Sequence, residues 1–190
     1  MKSIFFLLIF SFSLFAVDIS DFDIKGIKLG MSKKEVLKEK SCTEAEIQKK
    51  YQNTISGKKV YETDIICNNS AETITIELNR KNIVYSINRT KEFKISPNWK
   101  RIEEKIIQKY KNPTYTIERN KPSERNSSVF RMRWNRNNKQ LVIHSHNWND
   151  IYLVFYLYDE NIMNENVQWA VRQEKLYNQR QQEKASNIDL

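Results

Sequence analysis

Glu72–Asn79 reads ETITIELN. Ile74, Ile76 and Leu78 alternate with Thr73, Thr75 and Glu77, and a period of two marks a strand with one buried face. Asn79-Arg80-Lys81-Asn82 reads as a turn, because asparagine tolerates left-handed backbone and bonds its own main chain. Ile83, Tyr85 and Ile87 then line one face of the next strand, and residues 60–67 supply a strand on the other side. Links this short predict an antiparallel meander.

Upstream, residues 24–37 read IKGIKLGMSKKEVL. Ser32 and Glu35 form the S-x-x-E capping box, and Met31 and Val36 have the spacing of a hydrophobic staple. A helix is therefore predicted from Lys33 towards Lys40. Gly30 frees the backbone just before the cap, where a side chain could clash or forbid the dihedrals. Thr43 and Glu46 repeat the capping pattern, which predicts a second short helix over 43–51, with Gly57 closing the connection. Residues 17–25 read as an extended lead-in.

Downstream the pattern restarts. Ser96-Pro97 offers an N-cap followed by proline at the first helical position. Trp99, Ile102, Ile106 and Tyr110 recur every three or four residues, the spacing of one apolar helix face. Asn112-Pro113 ends that helix. Strands are predicted over 115–118, 129–134, 140–146 and 151–158, and a last helix over 164–184 carries Val167, Val171 and Leu176 before a polar tail. Helices then strands, followed by a helix then strands, define an α+β architecture of tandem helix-plus-antiparallel-sheet units with helices over one face. The first unit spans 17–92 and the second 93–160, with the C-terminal helix and tail over 161–190.

Residues 1–16 (MKSIFFLLIFSFSLFA) carry one lysine, an uncharged apolar run and a closing alanine, which is the pattern of a cleavable secretory signal peptide. The run falls short of the roughly 20 apolar residues that cross a bilayer comfortably, although an uncleaved anchor is the competing reading. No later stretch is apolar enough to span a membrane. The net charge is +9, with 32 lysines and arginines against 23 acids. Outside the cytosol such a charge suits envelope polymers, anionic lipid or an acidic protein better than a genome. Cys42 and Cys67 are the only cysteines. In an oxidising compartment an isolated pair favours a disulfide over a metal site, two free buried thiols being the alternative.

GIKLGMSKKEV (26–36), after the leader and before a helix, resembles the G-[IV]-x-L-G-M-[ST]-x-x-[ED]-[VA] signature of small exported bacterial proteins. Its relatives include the SmpA/OmlA outer-membrane lipoproteins and β-lactamase-inhibitor-protein-like (BLIP-like) folds. IIQKYKNPT (106–114) resembles a second piece of such proteins, a helix end reading kYG-x-P, with Lys111 in place of the glycine. The resemblance implies a helix-pair-on-sheet unit that works by protein–protein binding in the periplasm. The lipobox cysteine is missing, and no β-lactamase-binding loop matches residue by residue.

Alternation in the second half turns Phe130, Met132 and Trp134, then Leu141 and Ile143, then Leu153, Phe155 and Leu157 inward. It turns Arg131, Arg133, His144, His146, Tyr152, Tyr156 and Tyr158 outward. Arginines and tyrosines on one face have the composition of a recognition surface; the bland alternative is tyrosine rings covering arginine stems on a wet sheet. His144 and His146 could offer two nitrogens to zinc or copper, but a third ligand is merely available at Asp150 or Asp159, so no metal site is assigned. Glu124-Arg125-Asn126-Ser127-Ser128 fits the extended bacterial N-glycosylation pattern, which makes Asn126 a candidate acceptor. There is no G-x-S-x-G, no H-E-x-x-H and, with three glycines, no phosphate-cradling loop. The expectation is a non-enzymatic, exported protein-binding module, periplasmic or secreted, without cofactor or nucleic acid, whose partner is an envelope protein. The rival is a small envelope-glycan hydrolase using a carboxylate pair such as Asp150 and Glu160.

Overall fold

The computed structural model describes residues 19–42, 44–69, 71–115, 130–147 and 151–186. In chain order its elements are β1 (Asp23–Ile24), β2 (Ile27–Lys28), α1 (Lys33–Val36), β3 (Ala45–Thr54), β4 (Gly57–Asn69), β5 (Glu72–Asn79), β6 (Val84–Phe93), α2 (Trp99–Tyr110), β7 (Arg131–Arg136), β8 (Lys139–Asn147), β9 (Ile151–Asp159) and α3 (Glu160–Ser186), with 3-10 turns at Ile19–Asp21 and Lys40–Cys42. The leader, Asn126, Asp150 and residues 116–118 of a predicted strand lie outside the described residues.

The alternation read in ETITIELN becomes register. Ile65, Ile76, Ile87, Leu157, Leu141 and Trp134 stand side by side across six strands, paired in sequence from β4 to β7. All six are buried, and they form the floor of the core. The two strand runs are therefore not separate sheets. They share one seven-stranded antiparallel sheet, ordered β3-β4-β5-β6-β9-β8-β7, in which β6 and β9 join the two meanders. The α+β class and the C-terminal helix stand.

Two helix readings are corrected. Residues 45–51 of the predicted 43–51 helix are strand: β3 runs in register with β4 from Ala45↔Cys67 to Thr54↔Gly57, while Thr43 lies outside the described residues. A tight hairpin, with Gly57 at φ 112°, gives these residues backbone partners that a short isolated helix could not match. Helices also cover both faces rather than one. α2 packs on the core face through buried Ile106 and Tyr110, with Tyr110 against Trp134 and Trp99 against Phe130 at 5.9 Å between ring centroids. α3 crosses the opposite face, where the Arg80 N–H donates to Asn166 Oδ1 and the Arg80 guanidinium lies 5.3 Å over the Trp169 ring.

Smaller corrections follow from local bonds. The cap of α2 is Asn98, whose side chain accepts from the Arg101 N–H, and not Ser96. The lead-in is a 3-10 turn and a two-strand hairpin rather than extended chain. α3 starts at Glu160 because Asp159 Oδ1 accepts from the N–H groups of Asn161 and Ile162. That start sets its rotation: Asn166 and Ala170 face the sheet, while Val167 and Val171 are 53% and 59% exposed instead of forming the packing stripe.

The N-terminal piece is keyed to the sheet by its capped turn. Ser32 Oγ accepts from the Glu35 N–H, and Glu35 Oε2 accepts from the Ser32 N–H at 2.6 Å, which completes the capping box. The Gly30 N–H donates to the Val84 carbonyl, the Val84 N–H to the Met31 carbonyl and the Lys33 N–H to the Asn82 carbonyl. Thus 30–33 extends the sheet beside the start of β6, beyond the last β9 partner at Ser86. Gly30 has φ 86° and open space where a Cβ would stand, so dihedral freedom and not clearance requires glycine there. Cys42 and Cys67 form a disulfide across this junction, with their Cα atoms 4.9 Å apart.

Lys111, at the end of α2, has φ 64° and ψ −168°. That region is essentially glycine's and costs other residues about 1–3 kcal/mol. Lys111→Gly should stabilise the fold by about 1 kcal/mol once the glycine entropy cost is subtracted. A higher urea midpoint at an unchanged m-value would show it; an unaltered midpoint would mean the surrounding bonds leave no strain to relieve.

Candidate functional site

Register places the predicted outward residues. Arg131 pairs with His144 and that with Val154; Arg133 pairs with Val142 and that with Tyr156. Gln140 pairs with Tyr158, which faces Ser86 and then Glu77 across β6 and β5. On the face that α3 partly covers, Glu77, Ser86, Arg131, Val142, His144, Tyr156, Tyr158 and Met163 line a groove of about 570 Å³. Met163, from the first turns of α3, makes its far wall.

Four of the predicted residues therefore meet: Arg131, His144, Tyr156 and Tyr158. Arg133 and Tyr152 do not line the groove, and Arg133 is half-buried. His146 pairs with Tyr152 in the strand ladder, but its side chain lies outside the described residues. Tyr156 is 41% exposed and packs edge-on against Tyr158, with 6.4 Å between centroids. The Tyr158 hydroxyl donates to Gln140 Oε1 at 2.9 Å, and Gln140 Nε2 donates onward to Glu160. Burial, reinforced by Glu160, raises the Tyr158 pKa against the opposing pull of Arg133 and Arg131, so its phenol stays a neutral donor. The groove thus has an aromatic floor, one exposed guanidinium, an imidazole and a carboxylate.

Glu77 was legible as an outward residue of ETITIELN, but nothing local said that β5 and β6 would lie beside β9. Met163 and Val142 carry no sequence mark of a site. Of the rival carboxylate pair, Asp150 lies outside the described residues and Glu160 accepts from Gln140 Nε2. Asp159 is occupied in capping α3, five residues along β9 from the partner of His144. That is about 16 Å at strand rise, so Asp159 is too far to complete a histidine metal site.

Beside the groove, carboxylate oxygens of Glu62, Asp64 and Glu77 lie within 4.8 Å of one another. Three acids this close would suit a hard cation, but Lys50 Nζ already bonds Glu62 and reaches Asp64 Oδ2 at 3.2 Å. Burial opposes the ammonium, yet hydrogen bonding and attraction from Glu62 and Asp64 outweigh it and raise the Lys50 pKa. Burial raises the Glu62 pKa more than Lys50 lowers it. Lys50 thus offsets part of the charge of the three acids, and Asp64 Oδ1 is left buried without a hydrogen-bond partner.

No family model, curated protein or solved structure matches this chain. The fold and site define a seven-stranded antiparallel sheet with helices on both faces, one disulfide and an aromatic, cationic groove. Among the described residues no helix is long and apolar enough to cross a membrane.

Proposed function

We propose that the protein is an exported binding module of the cell envelope that captures a partner protein in the groove between β7–β9 and α3. One observation carries the reading: Arg131, His144, Tyr156 and Tyr158, from three strands, converge with Val142 and Met163 on a single concave surface. Tyrosine and arginine in a partly desolvated pocket are the residue types that dominate binding energy at interfaces. An acidic segment with an apolar or aromatic neighbour complements the exposed Arg131 and the Tyr156 ring. The disulfide is in keeping with an oxidising compartment.

A photoreactive phenylalanine analogue at Tyr156 should give a discrete protein adduct in the native cell. Replacing Arg131, Arg133 and Tyr156 together should abolish partner capture with the melting temperature kept, because the three contribute little core. Undiminished capture by the triple variant would overturn the reading. So would release of soluble fragments when the purified chain is incubated with peptidoglycan.

A further inference from the structure

The opposite face of the sheet carries a second concavity. Between α2 and the sheet lies a crevice of about 290 Å³, walled by Ile102, Ile106 and Tyr110 and floored by Leu153 and Phe155. Lys25, Arg89, Lys105 and Lys109 surround it. Two anions offset part of this charge. Glu72 binds Arg89 and, at 3.3 Å, Lys25, and Asp23 binds Lys109 at 3.1 Å. Lys105 is exposed and has no carboxylate partner among the described residues. An apolar cleft therefore sits inside an uncancelled excess of positive charge.

We propose that this crevice binds a free medium-chain carboxylate, its tail on Ile102, Ile106, Leu153 and Phe155 and its head group at Lys105. The Arg89 guanidinium lies 5.0 Å over the Phe155 ring but is paired with Glu72, which leaves Lys105 as the cation for the head group. A volume at the small end of the ligand range, about 300–1,000 Å³, suits one short chain rather than a membrane lipid. A peptide fits less well. The walls are side-chain carbon, and the backbone of α2 and of the central strands is already paired, so buried peptide amides would find few partners.

The test is calorimetric titration of the oxidised full chain with decanoate below its micellar range, with decan-1-ol as the neutral probe. Decanoate should bind saturably, one per chain. Lys105→Glu should weaken it about tenfold or more, the scale of one charge-assisted bond, and decanol should not saturate. Methyl NMR shifts should concentrate on Ile102, Ile106 and Leu153. The Arg131/Arg133/Tyr156 variant should bind decanoate like the wild type, which separates this site from the groove on the other face. Equal binding of decanol, equal affinity in Lys105→Glu, or binding to phosphatidylglycerol vesicles without binding to free decanoate would each overturn the proposal. So would shifts centred on the tyrosine groove.

Discussion

Arg89→Met should destabilise the protein by about 3–5 kcal/mol, the usual loss when one partner of a buried ion pair is removed. Arg89 bonds Glu72 through Nε and Nη2, and Glu72 is nearly buried on the core face. In the variant Lys25, exposed over 45% of its side chain, and a 3.4 Å bond from Asn69 Nδ2 would be left to that carboxylate. The sign of the pH dependence is a sharper check than the size. Burial raises the Glu72 pKa, but Arg89 and then Lys25 outweigh it and hold it below the ordinary 4.5. In the wild type this pair therefore stabilises above about pH 4.5, and the contribution fades as the pH falls through the lowered pKa. Without Arg89 the largest lowering contribution is lost and burial pushes the pKa back up. The deficit of the variant should then be largest at neutral pH and shrink on acidification. Urea denaturation at pH 7 and pH 4 measures both, and a deficit independent of pH would assign the loss to packing instead. Arg89→Met with Glu72→Met should recover most of the stability, since apolar replacement of a whole buried pair is often neutral.

Removing the disulfide should have the next largest effect. Cys42 and Cys67 are 25 residues apart in sequence, and opening a loop of that size costs roughly 3 kcal/mol by the chain-entropy account. Cys42→Ala with Cys67→Ala should lower the melting temperature by roughly 6–12 °C for a chain of this size. Reductant should lower the wild type to match and leave the double variant unchanged. Both sulfurs lie in the buried core, so the double variant should keep its far-ultraviolet spectrum. A melting temperature that reductant does not move would refute the bond.

Local chemistry made much of this legible beforehand. The capping box at Ser32 and Glu35, the apolar face of α2 at Ile106 and Tyr110, and the inward set from Phe130 to Leu157 depend on neighbours within a few residues. Their burial follows the pattern. Residues 45–51 misled because a capping pattern of S/T-x-x-E spacing does not exclude an edge strand. Ile47 and Tyr51 there are 42% and 55% exposed, so burial imposed little alternation, and pairing with β4 decided the conformation. Val167, Val171 and Leu176 misled because helical spacing alone does not say which way a helix is turned. Asp159 and the Arg80–Asn166 contact settled that.

By itself the sequence determined which residues go inward and outward on β5 and β7–β9, where the first helix begins, that the class is α+β, and which two cysteines could join. Those are consequences of backbone period and of bonds between residues close along the chain. On β6 a register shift against β5 turns Val84 into the core with Ile87 and sets Tyr85 beside Glu62 instead of on one face with Ile83 and Ile87. Only the tertiary structure decided that β6 pairs with β9 to make one sheet, that α3 lies over the outward face, and that Arg131, His144 and Tyr156 share a groove with Glu77 and Met163. Such pairings join residues about 70 positions apart, as Ser86 and Tyr158 are. Their free energy comes from burying two faces together, which no single strand or helix carries in its own pattern.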